Sequence, residues 1–151
     1  MDTVTYPDPR VAGFLERHFI PVQVRVKESR DLVENYLVSW TPNVVLADDH
    51  GRVHERVEGY LPPEDFLARL ALGVGRYLLS SKQFAQAAER FEEVVQRHQG
   101  SESGAEALYW LGVARYKQSH DPAQLRLSWQ RLAQEYPNSA WTQRTQIPAT
   151  S

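Results

Sequence analysis

The sequence of 151 residues predicts an α/β chain built in two parts: helices alternating with strands up to residue 61, then helices alone over 62–147. Two strand signals and one repeat carry this reading. Residues 20–26 read Ile-Pro-Val-Gln-Val-Arg-Val, apolar at every second position, and residues 43–47 are a short branched apolar run closed by Asp48-Asp49-His50-Gly51. Beyond Pro62 the apolar residues recur at helical spacing, and a pairing of glycine with a later aromatic occurs twice.

In order, Asp8-Pro9 opens a first helix over 10–19, with Val11, Phe14, Leu15 and Phe19 on one face. An aspartate N-cap followed by proline suits a first turn, where a missing N–H has no helical partner to lose. The alternating run 20–26 is expected as a strand, with Val22, Val24 and Val26 on one face and Pro21 at its start. A short helix over 31–38 carries Leu32, Val33, Tyr36 and Leu37. The run 43–47 reads as a buried strand. Gly51 supplies the positive φ of a hairpin turn, and 52–58 returns as a strand with Val53 and Val57 as its apolar residues.

The rest is helical. Pro62-Pro63-Glu64 starts a helix to about residue 80, and the next, over 82–98, has Phe84, Ala87, Ala88, Phe91, Val94 and Val95 as its apolar face. Gln99-Gly100-Ser101 breaks it. A third covers 103–117 with Leu108, Leu111 and Tyr116 inward. Asp121-Pro122 caps a fourth, which carries Leu125, Leu127, Trp129 and Leu132 and closes at Tyr136-Pro137. Asn138-Ser139 opens a short piece with Trp141, and 148–151 are expected to fray.

Gly75 precedes Phe91 by 16 residues and Gly112 precedes Trp129 by 17, each glycine in the first helix of a pair and each aromatic in the second. A small residue lets two helices approach, and the aromatic fills the space between them. The set Ala71, Val74, Gly75, Leu78, Ala87 and Phe91, then Leu108, Leu111, Gly112, Trp129 and Pro137, resembles a tetratricopeptide repeat over 62–144. The second unit departs from the pattern: it carries an extra residue near Ser119-His120, and Leu125 stands where a small residue is usual. The phrase from Ala107 to Gly112, followed by Tyr136-Pro137-Asn138-Ser139, is similar to those of bacterial repeat proteins. The resemblance implies that Gly75, Ala87, Phe91, Gly112, Trp129 and Pro137 are packing residues and that the hairpins present a protein-binding surface. Two units are fewer than the roughly three a solenoid usually needs, so the hairpins are expected to pack on the front half or to form a homodimer.

The front half carries a second resemblance. A short helix, Trp40-Thr41-Pro42-Asn43, an apolar strand, Asp48 and Gly51 in a turn, a second strand and Gly59 follow one another. Together with Tyr6-Pro7-Asp8-Pro9-Arg10-Val11 and Phe19-Ile20-Pro21-Val22, this resembles the C-terminal half of a thioredoxin over residues 5–72. The resemblance implies a cis bond between Thr41 and Pro42, against a base rate near ~5% for X-Pro, and a site where an extended peptide meets Trp40, Thr41 and Pro42. It also implies two departures: the Cys-x-x-Cys motif and the first strand of the sheet, central in that family, have no counterpart here. Without that strand, the strands over 20–26 and 43–47 either pair directly or leave backbone groups exposed.

Composition narrows the chemistry. The chain has no cysteine, hence no disulfide, thiolate nucleophile or cysteine metal site. Lys and Arg number 17 against 19 Asp and Glu, interspersed along the helices, so no nucleic-acid partner is expected. No apolar run approaches the roughly 20 residues that span a bilayer, and Met1-Asp2-Thr3 does not read as a leader; a cytoplasmic location and no membrane partner are the expectation. His50 and His54 beside Asp48 and Asp49 are read as a solvated hairpin, not as metal ligands. Ser80-Ser81 reads as a cap, Gly73-Val74-Gly75 as helix packing, and no phosphate, dinucleotide or nucleophile-elbow motif occurs. Trp110 and Trp129 are read as core, Trp40 as a contact residue.

The expected function is that of a non-catalytic, redox-inactive protein- or peptide-binding module with no cofactor and no catalytic residue. Two alternatives stand beside it. One is a thiol-disulfide oxidoreductase whose Cys-x-x-Cys lies upstream of Met1 in a longer gene product. The other is a structural assembly module that dimerises through its helical hairpins.

Overall fold

A computed structural model describes residues 1–146; the expected frayed end, 148–151, lies outside the described residues. The elements are α1 (Pro9–His18), α2 (Arg30–Asn35), β1 (Asn43–Ala47), β2 (Val53–Glu58), α3 (Pro63–Ser80), α4 (Phe84–Arg97), α5 (Glu102–Ser119), α6 (Pro122–Glu135) and α7 (Ala140–Thr145). They form two compact units, Met1–Leu70 and the chain from Ala71 onward, with the division inside α3. The fold is mixed α/β, a two-stranded sheet with helices followed by helices alone.

In the first unit, Asp8 accepts the N–H of Arg10 and Pro9 takes the first helical position, which sets the start of α1. Arg10 also bonds Glu64 at the start of α3. Val11 of α1, Leu46 of β1, Val57 of β2, and Phe66 and Leu70 of α3 form the core. Met1, Tyr6, Phe14, Phe19 and Val44 pack around them. Burying a side chain the size of Phe66 contributes about 1.5–3 kcal/mol, so these few residues hold the small sheet in place.

Three expectations need correction here. Residues 20–26 are not a strand: no helix or strand is assigned to them, and Ile20, Val22, Val24 and Val26 are 92%, 76%, 40% and 44% exposed. An alternating pattern makes a strand only where a neighbour takes its N–H and C=O groups, and among the described residues none does. The helix expected over 31–38 stops at Asn35 because the chain turns through Leu37 at φ 52°. In β2 the apolar pattern is shifted: a bulge between Leu46 and Ala47 leaves Val53 partly exposed while His54 and Glu55 are both buried.

The second unit is built from α4 against α5 and α5 against α6, with α7 against both. Ala87, Phe91, Val94, Val95, Leu108, Leu111 and Leu132 are buried. Tyr116, expected inward, is exposed, and so is Leu127 of α6; each lies on the solvent side of its helix. Gly75 is the point of closest approach to α4: a Cβ there would lie 2.6 Å from the Phe91 ring. At Gly112 a Cβ would lie 3.0 Å from Ser128 and 3.1 Å from Trp129. Gly104, which sequence reasoning passed over, is tighter still, with the Tyr136 hydroxyl at 2.5 Å and the His98 carbonyl at 2.7 Å.

Gly75→Ala gains about 0.5–1 kcal/mol of helix propensity but overpacks a fully buried ring, a cost of about 1–3 kcal/mol. The expected net is a loss of about 1 kcal/mol in urea unfolding. The Gly75→Ala/Phe91→Leu pair should lose less than the sum of its single changes, because the smaller side chain makes room for the new Cβ.

Candidate functional site

The site is the outer edge of β1, and the turn behind it explains why β1 stands where it does. Asp48 Oδ1 accepts the N–H groups of His50 (2.9 Å) and Arg52 (3.0 Å), and Oδ2 meets His54 Nε2 at 2.9 Å. The hydrogen bond from His54 first, and those from the turn N–H groups after it, hold the Asp48 carboxyl down to about 2. Gly51 takes φ 79°, as the turn requires. On the core face, Glu55 receives Arg69 of α3 at 2.6 Å. His54 is therefore a buried partner of Asp48 and not part of a solvated hairpin. Asp48, Asp49 and His50 offer ligand atoms within 4.8 Å of one another. Their oxygens already serve the turn and the histidines, so the cluster reads as hairpin chemistry.

The ladder fixes which backbone groups of β1 remain open. The N–H of Gly59 donates to the C=O of Pro42 (2.8 Å), and the register pairs Asn43 with Glu58, Val44 with Val57 and Val45 with Arg56. Alternate residues of an antiparallel strand bond the same neighbour. Pro42, Val44 and Leu46 therefore face β2, while the N–H and C=O groups of Asn43, Val45 and Ala47 point to the opposite edge. The sheet has two strands among the described residues, so no strand pairs along that edge. The Thr41–Pro42 bond is cis, as its setting in the sequence implies, and Trp40 beside it is 70% exposed. Trp40, Thr41 and Pro42 thus stand together at the head of an open strand edge. Arg56 braces that edge from β2, donating to the Asn43 side chain at 3.1 Å and to the carbonyl of Tyr36.

The residues singled out in the helices lie elsewhere, in the second unit. Ala87 and Phe91 are buried, and Pro137 is exposed just past the end of α6. Trp129 is half-buried, stacks on Tyr109 at 5.3 Å and donates its Nε1–H to the Tyr109 carbonyl at 3.3 Å. Trp141 meets both Tyr109 (5.3 Å) and Trp110 (6.2 Å), so these rings pack on one another. An open groove of about 550 Å³ is lined by Ala85, Ala88, Glu89, Glu92 and Glu93 of α4 and by Arg115 of α5. Glu92 is held there by Arg115 (3.1 Å) and Arg131 (3.2 Å).

Residues 1–73 match the family described as a thioredoxin-like domain, and residues 106–139 match the tetratricopeptide repeat. The chain is a thioredoxin-like domain joined to tetratricopeptide-type helices. The repeat match falls on the hairpin of Gly112 and Trp129, the unit whose spacing carries the extra residue. Among curated proteins, the chain is similar to the outer membrane protein assembly factor BamD of Rickettsia prowazekii, 32% identical over 121 residues. That alignment takes in 79% of this chain and 44% of the relative, so the chain spans less than half of that protein's length. No solved structure matches. None of the helices among the described residues is long and apolar enough to cross a membrane.

The candidate groups that sequence reasoning missed are backbone groups, those of Asn43, Val45 and Ala47. Their signal was the strand that follows Pro42, but which edge stays open depends on pairing and not on residue type.

The ionised Asp48 carboxylate is the form that holds the turn. Its contribution is present above the ordinary carboxylate range near pH ~4 and is lost as pH falls through about 2. The thermal midpoint of the wild type should therefore drop between about pH 4 and 2, and Asp48→Asn should be less stable at neutral pH and flatter across that window. A Asp48 titration midpoint near 4 by NMR would remove the basis for both.

Proposed function

We propose that this chain binds an extended segment of another protein by strand addition along β1, and that it does so without catalysis. One observation carries the reading: an unpaired row of backbone groups at Asn43, Val45 and Ala47 begins directly after the cis Thr41–Pro42 bond, with Trp40 exposed beside it. An extended peptide laid on that edge gains main-chain hydrogen bonds, which supply affinity with little demand on sequence. Trp40 is placed to add a contact of the aromatic kind that dominates binding hot spots. The absence of cysteine removes thiol-disulfide exchange from the chemistry of this chain. Both matched families and the printed name of the relative, an assembly factor, support an interaction role. The helical surface of the second unit offers a further place for a protein partner.

Val45→Pro provides the test. It removes the central donor of the open edge while leaving the β1–β2 ladder intact, because Val45 does not bond β2. Proline is tolerated in an edge strand when its missing N–H faces away from the sheet. Peptides selected from a displayed random library should bind the wild type and lose at least about tenfold in affinity against Val45→Pro, a difference of about 1.4 kcal/mol. Trp40→Ala should weaken the same peptides, and neither change should alter the circular dichroism. Selected peptides that bind Val45→Pro as well as the wild type would rule out strand addition at this edge.

A further inference from the structure

The segment 20–26 presents a second unpaired strand-like sequence, and its pattern is self-complementary. Residues 20–25 belong to no helix or strand, and Val26 enters a turn closed by the Glu28 N–H on the Arg25 carbonyl at 3.0 Å. Drawn out as a strand, the segment would put Ile20, Val22, Val24 and Val26 on one face, and all four are exposed, Ile20 at 92% and Val22 at 76%. Among the described residues, the backbone groups of Ile20, Val22, Gln23, Val24 and Val26 have no hydrogen-bond partner in the structure. An exposed alternating apolar segment with free N–H and C=O groups is a template for pairing with another chain.

We propose that residues 20–26 pair antiparallel with the same residues of a second copy, about a two-fold axis at Gln23. This register sets Ile20 against Val26, Val22 against Val24, Pro21 against Arg25 and Gln23 against Gln23. Every apolar residue then meets an apolar residue, on one face of a continuous ribbon. Pro21 selects the bonding pattern. If the even-numbered residues exchange the ladder bonds, the odd-numbered groups point outward, and Pro21 has no N–H to lose. Charge selects the direction. A parallel in-register pairing would stack Arg25 on Arg25 and Lys27 on Lys27, whereas the antiparallel register places Arg25 across from an uncharged proline. Arg25 keeps its own partner, Glu28, at 3.4 Å. A register centred on Val22 would set Val26 against His18, which belongs to α1, and one centred on Val24 would leave Ile20 without an apolar partner. The interface is isologous, so it closes at two copies.

The absence of cysteine makes the test direct. Single variants Val22→Cys, Gln23→Cys and Val24→Cys each carry one thiol, on residues whose side chains are not part of the core. In the proposed register only Gln23 faces itself, as a non-hydrogen-bonded pair with Cα atoms about 4.5 Å apart, within the span that a disulfide bridges. Mild oxidation should link Gln23→Cys into a dimer at least tenfold faster than either neighbour. Sedimentation at about 100 μM, between the millimolar and micromolar range of weak association, should show dimer for the wild type and monomer for Val24→Lys, with unchanged circular dichroism. A monomeric wild type, faster linking at 22 or 24, no preference among the three, or a dimer that Val24→Lys leaves intact would each overturn the proposal. The last of these results would move the contact to the helical hairpins.

Discussion

A β-strand has two backbone edges, and in the first unit only one edge of β1 is paired. The ladder with β2 uses the groups of Pro42, Val44 and Leu46 and leaves those of Asn43, Val45 and Ala47 facing away. The requirement that backbone N–H and C=O groups find partners or water then governs the unit. It keeps the open edge at the surface and leaves residues 20–26 without a sheet to join. An isolated two-stranded ribbon is marginal in water. Here it persists because Leu46 and Val57 are covered by Val11, Phe66 and Leu70, and because Asp48 gathers the turn through three hydrogen bonds.

The second unit depends on close approach. Gly75, Gly104 and Gly112 sit where a single methyl group would strike an aromatic ring, a carbonyl or a neighbouring helix. Interiors packed at crystal density have no room to absorb such an atom, so the glycines fix how near the helices lie. The aromatics then fill what is left: Phe91 against Gly75, and Trp129 against Gly112 and Tyr109. The two units present different surfaces: the first has unpaired backbone along β1, and the second has side chains packed on helices.

Much of this was legible in the chain. The caps Asp8, Asp121 and Ser139 mark their helices because a side-chain oxygen bonds an orphan N–H within three residues, a local event. The hairpin and its Gly51 were legible for the same reason, and the Thr41-Pro42 dipeptide sits between a short helix and a strand, where its cis bond is found. Legibility failed where the answer lay in a partner. Residues 20–26 have the composition of a strand but no neighbour. Val53 and Val57 looked equivalent until a bulge placed His54 between the ladder positions. Gly104 gave no signal because its constraint, the Tyr136 hydroxyl, lies a hairpin away.

By itself the sequence determined what contacts within a turn or two of chain can settle: where most helices begin and end, the hairpin, the two-part α/β order, and the absence of thiol chemistry. Only the tertiary structure decided which strand edge is open, that His54 is buried on Asp48, and that an alternating segment lies exposed. The physical reason is that periodicity records which side chains seek burial, whereas a backbone group is satisfied or left open by a partner strand that no local pattern names.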